Sequence, residues 1–335
     1  MNGNDAPIRF QWLRQSLAFV TICLGVLISA LHFFQFDFLA AVTLVPPWLL
    51  LIPALIAIAI SAKAISRMGL VVLIAVTLIF AAMFVEEARS LLRLGNLPAK
   101  ETLSERHVRI ATLNCLAGSV KSAREPLAFE PDVVLLQESP APKMIDLLAK
   151  EYFGTTGSGL YGGDVSMLVN GSIEPVHLKR ESHFVHAVVT LTSGHRFDLV
   201  SLRLGAPVFR LDFLSSRFWD EHLQTRRNHR NQLTEVRQHL ETASVTDVWI
   251  VAGDFNLVGN DGALSAMTGL SDSFFEAGSG WCNTGTSDFP LFRVDQIWKT
   301  PNLRCKKSKA FATKNSDHRM VVADMEFLKP KKPQP

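Results

Sequence analysis

The sequence predicts an α/β protein in which three membrane-spanning helices precede a soluble domain of two β-sheets packed face to face, with helices outside. Three observations carry this expectation. Residues 16–36, 38–62 and 68–85 contain no charged side chain, and each run approaches the ~20 residues that a helix needs to cross a hydrocarbon core. The remainder alternates many short apolar runs bounded by turn residues with few helical patterns, the signature of stacked sheets. Several of those runs end abruptly in a carboxylate or an amide. The clearest is Val248-Trp249-Ile250-Val251-Ala252-Gly253-Asp254-Phe255-Asn256, where a buried strand delivers Asp254 and Asn256 to the same side of its exit.

In chain order, residues 1–15 form an N-terminal segment and 16–85 the spanning region. Pro46, Pro47 and Pro53 leave the second span's boundary open to a kink or a start near Trp48. Arg9 and Arg14 precede the first span, Lys63 and Arg67 lie between the second and third, and the loop at Asp37 carries no basic residue. The positive-inside rule then places the N-terminus in the cytoplasm and everything after Val85 on the far side, although Arg89, Arg93 and Lys100 weaken the asymmetry. Residues 86–107 read as a juxtamembrane linker and 108–328 as the soluble domain. Strands are expected at 108–114, 132–137, 165–169, 185–191, 197–204, 248–253, 293–298 and 319–327, with helices at 142–151 and 210–243. The tail 329–335, rich in Lys and Pro, is expected to be disordered.

A net charge of +3 over 335 residues argues against a surface that wraps nucleic acid wholesale. The four cysteines are dispersed without a C-x-x-C pair, so neither a zinc site nor a disulfide framework is indicated. Cys282 and Cys305 are open to pairing in an oxidising compartment or to remaining buried thiols. The basic run Arg226, Arg227, His229, Arg230 and Arg237 reads either as a solvated helix face or as a surface for anionic head groups.

Polar clusters at strand ends recur as Thr112-Leu113-Asn114, Leu136-Gln137-Glu138, Gly253-Asp254-Phe255-Asn256, Val294-Asp295-Gln296 and Ser316-Asp317-His318. In this order they resemble the endonuclease/exonuclease/phosphatase family, which includes DNase I-like nucleases, inositol phosphatases and sphingomyelinases. The resemblance covers 108–328 and implies a four-layer α/β/β/α sandwich with its site where the strand ends of both sheets meet. It also implies a hard divalent cation, Mg²⁺ or Mn²⁺, because such ions take oxygen ligands. By resemblance Glu138 is the metal-binding glutamate, Asn114 a second ligand or water-holder, and Asp317 a water or metal ligand. His318 is the implied base with Asp295 fixing its tautomer; Asp254 orients the nucleophile or protonates the leaving group, and Asn256 donates to the transition state. Read singly, Glu138 is a solvated strand end, Asn114 a turn-forming amide and the Asp-His pair a helix cap. The ordered set makes the site reading the sharper one.

Arg180-Glu181 resembles the Arg-Glu step with which nucleases of the family contact phosphate, against the reading of a surface ion pair. One departure stands out: Arg203 occupies the strand position at which the family carries histidine. Arginine cannot act as acid or base, but its planar fork can hold a phosphate. The expected function is therefore a membrane-anchored, metal-dependent phosphohydrolase acting outside the cytoplasm on a phosphorylated small molecule or lipid. The architecture resembles the glycopeptide-resistance membrane phosphohydrolases of the family, whose implied substrate is a polyprenyl diphosphate carrier. A membrane-bound nuclease acting on DNA or RNA is the alternative, and a non-catalytic phospholigand-binding scaffold the second. No partner protein is inferable from the sequence.

Overall fold

The computed structural model describes residues 5–93, 95, 106–178, 182–208, 210 and 212–328. Arg180 and Glu181, Lys100 with most of the juxtamembrane linker, and the tail 329–335 lie outside the described residues. The chain forms two compact units, one comprising Met1–Arg89, Leu211–Leu223 and Asn260–Gly262, the other the remainder.

In the first unit, helices α1 (Asp5–Phe34), α2 (Ala40–Thr43), α3 (Pro47–Ser61) and α4 (Arg67–Phe84) follow one another. Two helices, Phe10–Phe34 and Arg67–Phe84, are long and apolar enough to cross a membrane. The run expected as a single middle span is bent by 63° between Thr43 and Pro47, so the count among the described residues is two, or three if the bent pair is one span. Pro46 sits at the break in an extended conformation that cannot continue a helix, and Pro47 starts the next one. The helices are tied by backbone carbonyls that accept from side chains: Ser61 Oγ donates to Arg14 O at 3.0 Å and Gln15 Nε2 to Ala64 O at 3.0 Å. Gly25 permits the close approach of α1 to α4, since a Cβ there would lie 2.9 Å from Val76 Cγ1.

After α5 (Glu86–Ser90) the second unit begins. Its strands are β1 (His107–Asn114), β2 (Val133–Gln137), β3 (Gly157–Tyr161), β4 (Val165–His177), β5 (Phe184–Leu191), β6 (Arg196–Arg203), β7 (Trp249–Asp254), β8 (Ser271–Asp272), β9 (Asp295–Lys299), β10 (Leu303–Phe311) and β11 (Met320–Phe327). Helices α6 (Val120–Ala123), α7 (Pro142–Phe153), α8 (Ser216–Ala243) and α9 (Ser273–Ala277) connect them. The strands form one hydrogen-bonded sheet in the order β10-β11-β1-β2-β4-β5-β6-β7-β9-β8, with β3 beside β4. Two separate sheets were expected, with a strand ending at residue 169. Strand β4 instead runs on through Gly171 to His177, pairing with β2 and β3 in its first half and with β5 in its second. Gly171 makes that passage possible: at φ +155° a Cβ would lie 2.1 Å from Thr190 O.

The sheet curls so that one apolar cluster draws on both halves, from Ile110, Leu135 and Met167 to Leu199, Ile250 and Ile297. Leu148 and Ile145 of α7 pack with Val134 and Leu136 in a second cluster, while Leu233, Val236 and Leu240 of α8 pack with Val200 and Val251 in a third. Buried charges are compensated locally. Arg109 donates to Asp324 through Nε at 2.7 Å and Nη2 at 3.2 Å, and His107 lies 2.8 Å from the same carboxylate. Asp198 accepts from Val245, Thr246 and His186, fastening β6 to the loop after α8. In the basic run of α8, Arg226 and His229 are buried and Arg237 lies over the Trp249 ring, so this part packs inward rather than forming a bare basic face. None of the four cysteines is in a disulfide.

Candidate active site

The register of three neighbouring strands sets the frame. Arg203 of β6 is paired with Asp254 of β7, and Asp254 with Asp295 of β9, so three charged side chains stand abreast at adjacent strand ends. Gly253 lets β7 come this close: its φ is +149°, and a Cβ would lie 1.9 Å from Leu202 O of the adjoining strand. The glycine that precedes the carboxylate is thus required by the backbone. From β1, Asn114 reaches across and donates through Nδ2 to Asp254 Oδ2 at 3.1 Å and to Glu138 Oε1 at 3.3 Å. Its own Oδ1 accepts from Leu116 N–H at 3.0 Å. In this orientation Asn114 is a donor that holds two carboxylates together.

His318 is brought in by the turn before β11. Ser316 Oγ donates to Asn114 O at 2.6 Å and accepts from His318 N at 3.0 Å, which locks the turn against β1. The imidazole Nδ1 then lies 2.9 Å from Asp295 Oδ2, leaving Nε2 as the free ring nitrogen. Asp254, Asp295 and His318 each present an atom within 4.8 Å of the others. Asp317 is exposed and lies outside this trio, influencing His318 only through its charge. Asn256 follows Asp254 in a left-handed conformation; its N–H donates to Asp254 Oδ1 at 3.0 Å and its Nδ2 to Leu204 O at 2.9 Å.

Glu138 is the most heavily engaged acid of the site. Arg203 Nη2 donates to its Oε1 at 2.7 Å and Ala117 N–H to its Oε2 at 2.6 Å. The other arm of the Arg203 fork donates from Nη1 to Asp164 Oδ2 at 2.9 Å. Four of the six non-glycine residues with positive φ among the described residues, Leu116, Ala117, Glu138 and Asn256, lie here. Such conformations cost of order 1–3 kcal/mol each and persist where the surroundings enforce them, which is why they gather at functional sites. Beside Glu138 a cavity of about 480 Å³ opens between Gly118, Tyr161, Asp164 and Arg203.

The electrostatics follow from burial and charge. Burial alone would lower the His318 pKa, but Asp295, through its charge and its hydrogen bond, and Asp254 push it up to about 10. Without a cation in the site, the two carboxylates thus favour the imidazolium form of His318. Burial, and then repulsion from Asp295, raises Asp254 to about 7. Burial would likewise raise Glu138, yet the Ala117 N–H, Arg203 and Asn114 overcome it and hold the carboxyl below its ordinary value.

The donor set fits a hard cation. Asp254, Asp295 and His318 present atoms within 4.8 Å of one another, Asn114 bridges Asp254 to Glu138, and Asp295 Oδ1 is buried without a hydrogen-bond partner, an acceptor that a cation could satisfy. Asp164 and the Leu116–Ala117 turn were not among the sequence candidates. Asp164 was detectable in principle, since Gly163-Asp164 repeats the glycine-carboxylate step of Gly253-Asp254.

No curated protein matches the chain in sequence. An endonuclease/exonuclease/phosphatase family protein from Bacteroides thetaiotaomicron has a similar structure, with a TM-score of 0.51 at 11% identity over 68% of this chain and 98% of that one. Humanized D. rerio TDP2 carrying 14 mutations gives 0.50 at 18% identity, covering 67% of this chain and 100% of its own. The endonuclease/exonuclease/phosphatase from Bacteroides vulgatus gives 0.50 at 15%, covering 66% and 99%. At these identities the likeness is one of fold. The sequence pattern of the Endonuclease/Exonuclease/phosphatase family, however, matches residues 111–318, the stretch that contributes every group of the site just described. The chain belongs to the endonuclease/exonuclease/phosphatase family, whose members are in general hydrolases of phosphoester bonds.

Proposed function

We propose that the protein is a membrane-anchored, divalent-metal-dependent phosphohydrolase that cleaves phosphoester or diphosphate bonds of a phosphorylated small molecule or lipid. The observation that carries this reading is the convergence of the His318–Asp295 pair with Asp254, Asn114 and Glu138 on one set of strand ends. Glu138 and Asp254 are the residues suited to hold the cation. When bound, Mg²⁺ or Mn²⁺ supplies charge neutralisation on the phosphoryl oxygens and a more acidic water.

The chain's own groups account for the rest. Asp295 fixes His318 with Nε2 outward, so the imidazolium can donate to a phosphoryl oxygen and stabilise charge that builds on it. Asp254, held in place by Asn114 Nδ2 and Asn256 N–H, can orient the attacking water. Asn256, oriented by Leu204 O, and Arg203 supply donors toward the substrate.

A small or lipid-borne phosphate is favoured over a nucleic-acid strand because the opening beside Glu138 is lined by Asp164 as well as Arg203, and the arginine is paired with acids. A polyanionic strand would need a basic track there. Anchoring is supported by the two or three apolar helices, and by Phe213 and Leu214, which are 64% and 93% exposed in the same compact unit as those helices. A polyprenyl diphosphate is the lipid class that this arrangement suits. The test is hydrolysis by the full chain in nanodiscs with Mg²⁺ or Mn²⁺, offered lipid diphosphates, inositol phosphates, DNA and RNA. Release of phosphate from the lipid diphosphate is expected. Cleavage of DNA or RNA alone would replace this reading with the nuclease, and no turnover of any substrate would favour the phospholigand scaffold.

A further inference from the structure

We propose that Asp164 is a positioning residue that governs a competition between the Arg203 guanidinium and a divalent cation for the Glu138 carboxylate; this rests on the site being a metal centre, as above. Each Glu138 oxygen offers about two lone-pair directions. Oε1 already accepts from Arg203 Nη2 at 2.7 Å and from Asn114 Nδ2 at 3.3 Å, and Oε2 accepts from Ala117 N–H at 2.6 Å. A cation that uses Oε1 must displace one of these two donors, and because a dication repels the adjacent guanidinium but not the neutral amide, the arginine is the one that gives way.

The local structure allows Arg203 to swing rather than leave. Its backbone is held at the end of β6, where Arg203 N–H donates to His183 O at 2.8 Å. Its Nη1 arm remains on Asp164 at 2.9 Å when Nη2 lets go of Glu138. The fork is also incompletely matched on its inner side: Nε is buried with no hydrogen-bond partner and stands 3.9 Å from Asp254 Oδ2. The guanidinium is thus a resident counter-charge for Glu138 and Asp254, and Asp164 is the pivot that receives it when a cation arrives. Turned toward Asp164, it faces the cavity, where a substrate phosphate can meet its planar fork.

The probe is Mn²⁺ alone, titrated against the full chain in nanodiscs and followed by loss of the free-ion paramagnetic resonance signal, with thermal melts as a check on folding. Arg203→Gln is expected to tighten Mn²⁺ binding on the order of tenfold, by freeing Glu138 and removing the repelling charge. Asp164→Asn should weaken binding several-fold in the unaltered chain, because the displaced guanidinium loses its alternative partner. In the Arg203→Gln background the same change should matter by less than about twofold, since an exposed carboxylate acting only through its field is well screened. Arg203→Lys keeps the charge but cannot span two carboxylates, so it should also suppress the effect of Asp164→Asn.

Unchanged or weaker binding in Arg203→Gln would overturn the competition and place the cation on Oε2 beside a stationary arginine. An equal effect of Asp164→Asn in both backgrounds would overturn the positioning role and leave Asp164 as a bulk charge. If the unaltered chain binds no Mn²⁺ at all, the metal-centre reading fails, and the competition falls with it.

Discussion

Asp295→Asn removes one charge from the centre of the site while keeping the shape of the side chain. Asp295 is the main cause of the raised His318 pKa, overcoming the burial that would lower it, and it is also the charge that repels Asp254. A histidine moved from 6.5 to about 10 corresponds to roughly 4–5 kcal/mol of favourable interaction with the imidazolium. Relief of the Asp254–Asp295 repulsion offsets part of that, so a net loss of about 2–3 kcal/mol at pH 7 is expected. The sign follows from the direction of the shift. His318 binds its proton more tightly in the folded chain, so its stabilisation is fully present below pH 6.5 and is lost as pH rises through about 10. In EDTA, the variant should therefore melt lower than the unaltered chain at pH 6–7, and the gap should close near pH 10. With Mn²⁺ and the best phosphorylated substrate, kcat/KM should fall by on the order of 10²–10⁴, because the imidazole loses its orientation and its charge. Equal melting at pH 7, together with turnover within about twofold of the original, would refute the assignment of His318 and Asp295 as a working pair.

Glu138→Gln should abolish most turnover at limiting Mn²⁺ and restore part of it at high Mn²⁺, since charge but not shape is removed; unchanged turnover at limiting Mn²⁺ would mean that another residue holds the cation. Asp324→Asn leaves Arg109 buried against a neutral amide and should cost about 3–5 kcal/mol, read by denaturant unfolding. Because burial would raise the Asp324 carboxyl but His107 and Arg109 hold it below its ordinary value, the unaltered chain should lose this contribution as pH falls through the lowered pKa, and the variant should lack that acid limb. Gly253→Ala should prevent stable folding, because a Cβ would meet Leu202 O at 1.9 Å; a variant melting within a few degrees of the original would mean that β6 and β7 can separate. Reporter fusions after Leu97 should be active outside the cytoplasm if the bent pair is one span, and inside if it is not, since two crossings return the chain to its starting side.

The parts of the site that the sequence made legible share one property: each lies at an end of a buried strand, where an apolar run meets a polar residue. Asn114, Glu138 and Asp254 are local events of this kind, and Asp295 and His318 are their mirror image, polar residues at or just before the start of a buried strand, all visible without knowing which strand lies beside which. Partnership was not visible, because it depends on register. That Arg203, Asp254 and Asp295 stand abreast follows from β6 lying parallel to β7 and β7 antiparallel to β9, connections separated by a long helix and a long loop. The same limit applied to the sheet. An apolar run that ends near Asn170 reads as a finished strand, yet Gly171 carries it past the close carbonyl of Thr190 and into the other half. Likewise Gly157-Ser158-Gly159 has little intrinsic strand preference, and β3 forms because glycine lets it lie against α7, where a Cβ on Gly157 would meet Ala149 O at 2.1 Å.

Arg203 shows how far a local reading reaches. Its position beside the catalytic strand ends was legible, and so was its inability to titrate. Its engagement by Glu138 and Asp164, which lie 65 and 39 positions upstream, was not. A histidine at that strand end could exchange a proton with substrate and would leave Glu138 free. An arginine there keeps a permanent positive charge among the acids before any ligand arrives. Arginine at this strand end therefore sets the resting charge balance of the site, not only the list of groups able to move protons. Cation binding, rather than proton transfer, is the step at which an Arg203→His variant should differ most from the unaltered chain.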